Sequence, residues 1–342
     1  MTTAENDLDI EAMTLQADER DYTAIARDWR EEAKQNIREP GDFVSELNAL
    51  VRGENNGTPF PLDPRLSFRE GEVTLWVGQN GSGKSMMTGQ MASAFAMRGE
   101  RTLICSFEMS PARTLFRMMR QAMGRYPKHE AATTVFLGHW LNWLHQSRKD
   151  KKPLIYLSNC RAGITPDAAC GMGAYAAETL GCKHIIIDNL MKVVSGEDNY
   201  NAQKDFVSDL TQLAQDFKCH VHLVHHVRKS GSESDAIDKF SVRGTSAITD
   251  LADNVLLLQR NFDKIKRIEK GILTAEDEAG EPDSFLRIAK QRNGDVQNAL
   301  IKLWYHPDAA CFCTDGSGVL PVLCPDWVAG CDQMDRMDDC PF

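Results

Sequence analysis

The sequence predicts an α/β fold in which a mainly parallel β-sheet is flanked by helices, with antiparallel strands added towards the C-terminus. Near-continuous apolar runs alternate with helical segments over residues 72–224, and strands that are covered by helices on both faces have this composition. A glycine-rich segment, Gly78–Ser85, joins the first apolar run to the first helical segment. Beyond residue 242, three further apolar runs have short connections, which favours an antiparallel extension of the sheet.

Local composition supports each predicted element. The strands of the parallel part are rich in Val, Ile and Leu and cover residues 72–77, 101–107, 152–157, 183–188 and 219–224. Helical composition fills the intervals, at residues 86–97, 111–125, 166–180 and 201–217. Ser110 is the expected N-cap of the second of these helices, because a serine hydroxyl can accept hydrogen bonds from early backbone N–H groups. The antiparallel strands are expected at residues 254–258, 284–289 and 299–305.

Four segments are predicted along the 342 residues: a disordered acidic N-terminus (1–20), a helical linker (21–61), a core domain (62–308) and a C-terminal extension with an acidic aromatic tail (309–342). Pro40-Gly41 should break the linker into two helical pieces, and residues 55–61 should form a loop. The linker has too few apolar residues for a core of its own. Its helix packs either on a neighbouring subunit or back on its own domain, and the sequence leaves both open.

The bulk composition is that of an ordinary globular protein, with 42% hydrophobic and 26% charged residues. No apolar run approaches the ~20 residues needed to span a bilayer, and the acidic N-terminus lacks a signal-peptide pattern. A cytoplasmic protein that does not bind membranes is therefore expected, in the bacterial host if the gene is carried by a phage. The net charge of −10 argues against nonspecific coating of nucleic acid, but not against a local basic channel.

Ten cysteines do not indicate a disulfide framework in a chain of this length. Five of them lie in apolar or small-residue stretches and are expected to be buried thiols. The other five are denser but lack the paired C-x₂-C pattern of zinc ribbons, which disfavours a metal site without excluding one: Cys311, Cys313, Cys324, Cys331 and Cys340.

The segment Gly78–Ser85 matches the phosphate-loop pattern G-x-x-x-x-G-K-[S/T] in full. A strand before it and a helix after it direct backbone N–H groups and a helix N-terminus at a phosphate. Lys84 should reach the β- and γ-phosphates, and the Ser85 hydroxyl should bind Mg²⁺. The predicted cofactors are ATP or another nucleoside triphosphate and Mg²⁺, and the predicted nucleotide-contacting residues are Gly78, Gln79, Asn80, Gly81, Ser82, Gly83, Lys84 and Ser85.

Two acidic residues follow apolar runs and complete a hydrolytic site. Asp188 ends a buried strand, as the Mg²⁺-binding acid of such proteins does, although a solvent-facing aspartate at a strand end would have the same pattern. Glu108 follows the neighbouring predicted strand and could polarise the attacking water as a general base. On its own, Glu108 fits equally well as an acid near the start of a helix.

Five segments in order are similar to motifs of the DnaB-type ring helicases, which are hexameric replicative DNA helicases with a RecA-like fold. Cys105–Ser110 looks like their "SLEMS" segment, and Asp188–Leu190 looks like their "DYL". Residues 225–229 fall where the family has its γ-phosphate-sensing block. Residues 242–258 resemble "LRGSGAIEQDADVVLFL", and 288–294 match "AKQRNG" almost letter for letter. The resemblance spans residues 71–305 and implies a RecA-like ATPase core.

The resemblance implies roles for single residues. Glu108 would be the catalytic base and His226 the γ-phosphate sensor, where bacterial members carry Gln and some phage members His. Lys290 and Arg292 would form a clamp that acts on the γ-phosphate bound by the adjacent subunit, since a guanidinium matches phosphate geometry. The active protein would then be a homo-oligomer, in this family a hexamer. Without the resemblance, exposed strand cations would fit Lys290 and Arg292 equally well, and a core histidine near a strand end is the alternative for His226.

Resemblances also imply binding partners for two further segments. The family's DNA-binding loop lies in residues 228–243, where a plain surface loop is the alternative because acidic residues interrupt it; the candidate phosphate contacts are Arg228, Lys229, Lys239 and Arg243. The last eight residues resemble the acidic tip of single-stranded-DNA-binding proteins, which docks on replication proteins. A solvated acidic tail is the alternative there; the candidate contacts are Asp338, Asp339, Pro341 and Phe342.

These features together predict a ring-forming, ATP-dependent replicative DNA helicase that acts on single-stranded DNA and forked duplex. Its expected partners include primase, polymerase or a single-strand-binding protein. Because residues 1–65 are too short for the N-terminal domain of the bacterial enzymes, a phage or plasmid type without a primase portion is expected. Two alternatives stay open: a RecA- or RadA-like recombinase filament, and a DNA-binding platform or loader ATPase that does not separate strands.

Overall fold

A computed structural model describes residues 21–31, 34, 37–53, 57–146, 150, 152–160, 164–194, 196, 199–227, 246–296 and 298–332. The chain forms two compact units, Met1–Asn55 and Asn56–Phe342. No helix in the described part of the chain is long and apolar enough to cross a membrane.

The first unit contains two short helices, α1 (Tyr22–Asp28) and α2 (Val44–Val51), and a 3₁₀ turn at Pro40–Phe43. The Asp21 side chain caps α1 by accepting from two backbone N–H groups at 3.0 and 3.1 Å. The 3₁₀ turn at Pro40-Gly41 separates the two helices, as the sequence predicts. No residue of the turn or of α2 is buried within the unit.

The second unit contains eleven strands in its described residues: β1 (Thr58–Phe60), β2 (Asp63–Phe68), β3 (Val73–Gly78), β4 (Arg101–Ser106), β5 (Ile155–Leu157), β6 (Cys182–Asp188), β7 (His220–His226), β8 (Asn254–Arg260), β9 (Ser284–Gln291), β10 (Ala299–His306) and β11 (Cys311–Cys313). Its described helices are α3 (Lys84–Met97), α4 (Pro111–Met123), α5 (Glu130–Gln146), α6 (Pro166–Glu178), α7 (Leu190–Val193), α8 (Tyr200–Asp216), α9 (Ser246–Leu251), α10 (Phe262–Glu269), α11 (Ala275–Gly280) and α12 (Asp326–Ala329), with a last 3₁₀ turn at Gly330–Asp332.

Nine strands form one sheet in the order β11-β10-β9-β8-β3-β7-β6-β4-β5. The six strands from β8 to β5 are parallel, and β9, β10 and β11 are each antiparallel to the strand before them in the chain. The prediction of a mainly parallel sheet with antiparallel C-terminal strands is confirmed. All carboxyl ends of the parallel strands therefore lie at one edge, which we call the carboxyl edge, and their beginnings lie at the opposite edge.

Each face of the sheet is covered by its own apolar cluster. Residues such as Leu75 and Ile185 pack on one face with side chains of α6 and α8, while Trp76 and Ile104 face the other side. Alternate residues of one strand serve the two clusters because successive side chains point to opposite faces. Strands β3 and β4 are wholly buried for this reason, and β6, β7 and β8 are buried over most of their length.

Two local expectations are wrong or incomplete. Residues 55–61 were expected to form a loop, but Thr58–Phe60 is a strand that pairs antiparallel with β2. The proline in this strand is tolerated because the hairpin is a separate two-stranded sheet in which β1 has only one partner strand. The sequence predictions also omit α5, which buries Phe136, Trp140 and Trp143 against neighbouring helices.

A buried polar network lies towards the opposite edge of the sheet. His184 of β6 donates to or accepts from His222 of β7 at 3.2 Å, and the Trp76 indole donates to His222 at 3.3 Å. His220 contacts the Thr74 hydroxyl at 2.8 Å and donates to the Arg69 carbonyl at 2.6 Å. Burial lowers the pKa of all three histidines, that of His220 to about 3. They are therefore neutral at physiological pH.

Candidate nucleotide-binding site

The phosphate loop lies at the carboxyl edge, between the end of β3 and the start of α3. A Cβ added at Gly78 would lie 2.4 Å from the Leu258 carbonyl oxygen, so only glycine fits beside β8. Gly83 has φ of 95°, and a Cβ there would lie 2.8 Å from the Phe312 ring. Close packing against β8 explains the glycine at position 78. The left-handed dihedral and the nearby Phe312 ring explain the glycine at position 83.

Lys84 is buried in the first turn of α3. Its ammonium donates to the backbone carbonyls of Gly78 and Gln79, both at 2.8 Å, which folds the side chain back over the loop. Burial lowers the pKa of Lys84 to about 8, and the nearby carboxylates of Asp188 and Glu108 oppose that shift. The lysine is thus a desolvated cation at the position from which a phosphate can be reached.

Asp188 ends β6 and is 4% exposed, so the alternative of a solvent-facing aspartate is wrong. It lies level with Ser106 at the end of β4, so Asp188 is at the carboxyl edge of the sheet. Burial raises the pKa of Asp188, while a hydrogen bond from the Ser85 hydroxyl lowers it. The two predicted Mg²⁺ ligands, Ser85 and Asp188, are therefore in direct contact.

Glu108 and His226 meet on a third side chain, that of Asn189. The Asn189 amide nitrogen donates to Glu108 Oε1 at 2.7 Å and lies 2.9 Å from His226 Nε2. The helix α4 is capped by Ser110, whose hydroxyl accepts from the Arg113 N–H at 3.4 Å, so Glu108 has a partner in the site rather than a capping role. Burial, together with the charge of Lys84, lowers the pKa of His226 to about 4.

Sequence reasoning missed two residues of this edge, Arg117 and Asn189. Arg117 lies on α4, donates to the Met109 sulfur at 3.0 Å, and acts electrostatically on Asp188. Burial lowers the pKa of Arg117. The available signal was its place two turns into the helix that follows Glu108. For Asn189 the signal was its position directly after the acidic residue that ends β6.

Lys290 and Arg292 lie at the opposite edge of the sheet. The Lys290 ammonium donates to the carbonyls of Thr249, Asp250 and Ala252 at 2.7 to 3.0 Å, around the end of α9. Arg292 pairs with Asp253 at 2.9 Å. Gln291 is level with Asn254, and Asn254 with Thr74, which precedes Gly78 by four residues. At about 3.3 Å per residue, these cations are set back from their own phosphate loop by about 13 Å along the strands.

Two predicted sets of contacts lie outside the described residues. These are the DNA-contact candidates Arg228, Lys229, Lys239 and Arg243, and the tail candidates Asp338, Asp339, Pro341 and Phe342. Among the described cysteines all nine are free thiols. The part of the chain that the structure describes holds no group of three or more His, Cys, Asp or Glu that could bind a metal ion.

The residues of the carboxyl edge fit a nucleoside triphosphate with Mg²⁺. Ser82 Oγ is buried without a hydrogen-bond partner among the described residues, in a loop whose glycines leave room for an anion. Lys84 supplies a cation, and Ser85 and Asp188 supply the oxygen ligands that Mg²⁺ prefers. The triphosphate would be held by the loop and Lys84, and the metal by Ser85 and Asp188.

Comparisons with known proteins identify the family and the fold of the chain. The AAA domain family model matches residues 49–232, which is more than half of the chain. The DNA helicase/primase of Enterobacteria phage T3 is 26% identical over 211 residues, which cover 58% of this chain and 37% of that protein. The chain thus spans well under two thirds of the length of this curated relative.

Solved structures show the same fold. The structure of a DnaB-like replicative helicase, described with its interactions with primase, superposes with a TM-score of 0.62 at 14% identity, over 85% of this chain and 74% of the other. A solved ATPase domain gives a TM-score of 0.61 at 15% identity, over 80% of this chain and 97% of that domain. The chain belongs to the AAA domain family and has the RecA-like fold of the ATPase domains of DnaB-type helicases.

Proposed function

We propose that this protein is an ATP-dependent, ring-forming replicative DNA helicase that hydrolyses nucleotide at its subunit interfaces and moves along single-stranded DNA. One observation carries the proposal: Lys84, Ser85, Glu108, Asp188 and His226, which come from four separate segments, converge at the carboxyl edge of one sheet. The T3 relative is a DNA helicase/primase, and a structural relative is a replicative helicase, which supports DNA unwinding as the use of this site.

Hydrolysis at this edge requires a base, a cation and a sensor of the terminal phosphate. Glu108, held by Asn189 at 2.7 Å, is placed to accept the proton of the attacking water. Lys84 would leave the carbonyls of Gly78 and Gln79 and bind phosphate oxygens. Mg²⁺, when bound by Ser85 and Asp188, neutralises phosphate charge. His226 would contact the terminal phosphate and respond to its loss.

Hydrolysis also needs a cation that counters the charge developing on the transferred phosphate. Arg117 lies on the chain's own α4, whereas Lys290 and Arg292 lie at the opposite edge, set back from their own loop. We propose that they act on the nucleotide of an adjacent subunit, in a hexameric ring. Arg292 would exchange its partner Asp253 for phosphate. The Arg292 side chain is accessible for this exchange because it is 47% exposed.

DNA contacts are proposed for Arg228, Lys229, Lys239 and Arg243, and contacts with a replication protein for Asp338, Asp339, Pro341 and Phe342. Removing residues 335–342 should leave ATP hydrolysis intact and weaken binding to that partner, measured as co-sedimentation with primase, polymerase or single-strand-binding protein. Binding that is unchanged with all three would contradict the role of the tail.

Unwinding of a forked DNA duplex is the direct test. The wild-type protein should unwind the fork with ATP, and the variants Lys84→Ala, Glu108→Gln and Arg292→Ala should not. Arg287→Ala is the matched control for Arg292→Ala, since it removes another arginine of the β9 segment and should unwind normally. Vigorous DNA-stimulated ATPase activity without unwinding would contradict the helicase and favour the platform ATPase, and open filaments in electron micrographs would favour the recombinase.

A further inference from the structure

Asn189 is a buried polar residue to which the nucleotide motifs give no task. It is 1% exposed and directly follows Asp188. It is the N-cap residue of α7, yet its side chain makes no capping hydrogen bond to that helix. An asparagine at an N-cap ordinarily accepts from a backbone N–H of the first turn. The side chain of Asn189 is therefore engaged elsewhere.

The orientation of the Asn189 amide follows from its two partners. An ionised carboxylate only accepts hydrogen bonds, so the amide nitrogen and not the oxygen faces Glu108 Oε1, at 2.7 Å. The same nitrogen lies 2.9 Å from His226 Nε2 and directs its second hydrogen there. His226 Nε2 must then accept. A neutral imidazole that accepts at one nitrogen carries its proton on the other, here Nδ1.

Two buried polar atoms of this group have no hydrogen-bond partner among the described residues, His226 Nδ1 and Asn189 Oδ1. The first is a donor in the tautomer that Asn189 selects, and the second is an acceptor. His226 therefore has a single N–H to offer to a phosphate oxygen, on the side of the ring that faces away from Asn189. Either side of the imidazole could serve if the ring were unconstrained.

We propose that Asn189 is a positioning residue that holds Glu108 and His226 on one amide and fixes His226 as the Nδ1–H tautomer. The catalytic meaning of this link rests on the proposed hydrolysis, whereas the tautomer does not. Because the two groups share one amide, the carboxylate that accepts the proton of water and the ring that contacts phosphate keep a constant separation. Loss of the phosphate contact at His226 is then transmitted to Glu108 through a single side chain.

Histidine ¹⁵N NMR of the full chain tests the tautomer without any need for activity. His226→Gln identifies the His226 signals by difference. At pH 7 the wild-type ring should be protonated at Nδ1 and unprotonated at Nε2. Asn189→Leu, which has similar volume and no donors, should populate the Nε2–H tautomer. Asn199→Leu removes an N-cap asparagine of α8 and should leave the His226 signals unchanged.

A wild-type His226 that is protonated at Nε2, or signals that Asn189→Leu does not alter, would overturn the proposal. If Asn189→Leu does not fold, Asn189→Asp keeps the shape, removes both donors and should shift the same signals.

Steady-state ATP hydrolysis tests the positioning role separately. Asn189→Leu should lower kcat about 10- to 100-fold, since a misplaced catalytic group has effects of this size, and should change KM less than about twofold. Unchanged kcat would overturn the positioning role even if the tautomer is correct. A wild-type protein without ATPase activity would contradict the proposed function instead, and the NMR result would still stand.

Discussion

The two edges of the parallel sheet differ in how completely one chain builds them. At the carboxyl edge, the Ser85 hydroxyl contacts Asp188, and the Asn189 amide links Glu108 to His226. At the opposite edge, Lys290 and Arg292 are held by hydrogen bonds to carbonyls at the end of α9. One edge thus holds the candidate nucleotide-binding residues, and the other holds Lys290 and Arg292, which we propose to act on the nucleotide of an adjacent subunit.

This difference indicates where substitutions should affect chemistry and where they should affect stability. Side chains of the carboxyl edge keep unpaired polar atoms, which is typical of a site that binds a ligand. At the opposite edge Lys290 and Arg292 have carbonyl and carboxylate partners, although Asn254 Oδ1 and the side-chain polar atoms of Gln291 are also buried without a partner among the described residues. Changes at the first edge should lower turnover in a folded protein. Changes at the second edge, apart from the proposed trans-acting cations Lys290 and Arg292, should first lower the free energy of unfolding.

The largest expected effect is on turnover at the carboxyl edge. In Glu108→Gln the side-chain oxygen can still accept the hydrogen bond from the Asn189 amide, but the general base is removed. The kcat for ATP should therefore fall about 10²- to 10⁴-fold. Nucleotide affinity, measured with a fluorescent analogue, should change little. Glu130→Gln, at the exposed start of α5, is the control and should hydrolyse ATP normally. Full ATPase activity of Glu108→Gln would contradict the proposal that Glu108 is the base for hydrolysis at the carboxyl edge.

Acid should destabilise the protein through the opposite edge. His220 has its pKa lowered to about 3 by burial, whereas an unfolded histidine titrates near 6.5. Below pH 6.5 the unfolded chain binds a proton that the folded chain does not, so stability is full above that pH and falls as the pH drops. At pH 5 the loss from His220 alone is about 2 kcal/mol.

Urea unfolding between pH 7 and pH 5 measures this loss. His220→Gln should reduce the dependence on pH, and the exposed His145→Gln should not. A pH dependence equal in His220→Gln and wild type would contradict the assignment to this network.

The Asp253 carboxylate links the opposite edge to the core. It accepts from the Val73 N–H at 2.9 Å and pairs with Arg292 at 2.9 Å. Asp253→Ala leaves a buried N–H without a partner, which should lower the free energy of unfolding by about 1 to 3 kcal/mol. Arg292→Ala removes only the half-exposed partner and should lower it by no more than about 1 kcal/mol. Equal losses in urea titrations would argue against Asp253 as the structural member of this pair.

A small effect on stability and almost none on activity are expected at Ser110, the N-cap of α4. Ser110→Ala removes a hydrogen bond to the Arg113 N–H and should lower stability by about 1 kcal/mol. Activity should stay within about twofold of wild type if α4 keeps its place beside the site. Thermal unfolding and ATPase assays of the same preparation measure both. A large loss of turnover without a loss of stability would give Ser110 a place in the site itself.

The carboxyl edge could be predicted from sequence because its residues sit at recognisable ends of apolar runs. Lys84 and Ser85 follow from the phosphate-loop pattern, and Asp188 from the strand that precedes it. The position of Asn189 directly after Asp188 was a signal for the site, but its two partners could not be predicted, because they come from segments that only the sheet order brings to either side of β6. Its neighbours in sequence say nothing of Glu108 or His226.

The elements of the fold also divide into those that the sequence predicted and those that it did not. The parallel strands were predictable because burial on both faces makes them apolar throughout. The helix α5 was missed because Thr133, Thr134, Val135 and Gly138 have poor helix propensity. The spacing of Phe136, Trp140, Trp143 and Leu144 was nevertheless helical, and all four are buried. Tertiary packing decided this segment, and the apolar period was the better signal.

Mixing inactive subunits tests most directly whether the two edges of adjacent chains form one site. Lys84→Ala and Arg292→Ala should each be inactive alone, yet equal mixtures should recover part of the ATPase activity, since some interfaces then pair an intact Lys84 with an intact Arg292. Mixtures of Lys84→Ala with Glu108→Gln should recover nothing, because both residues belong to the same edge. Recovery in the second mixture, or its absence in the first, would contradict a site shared between adjacent subunits.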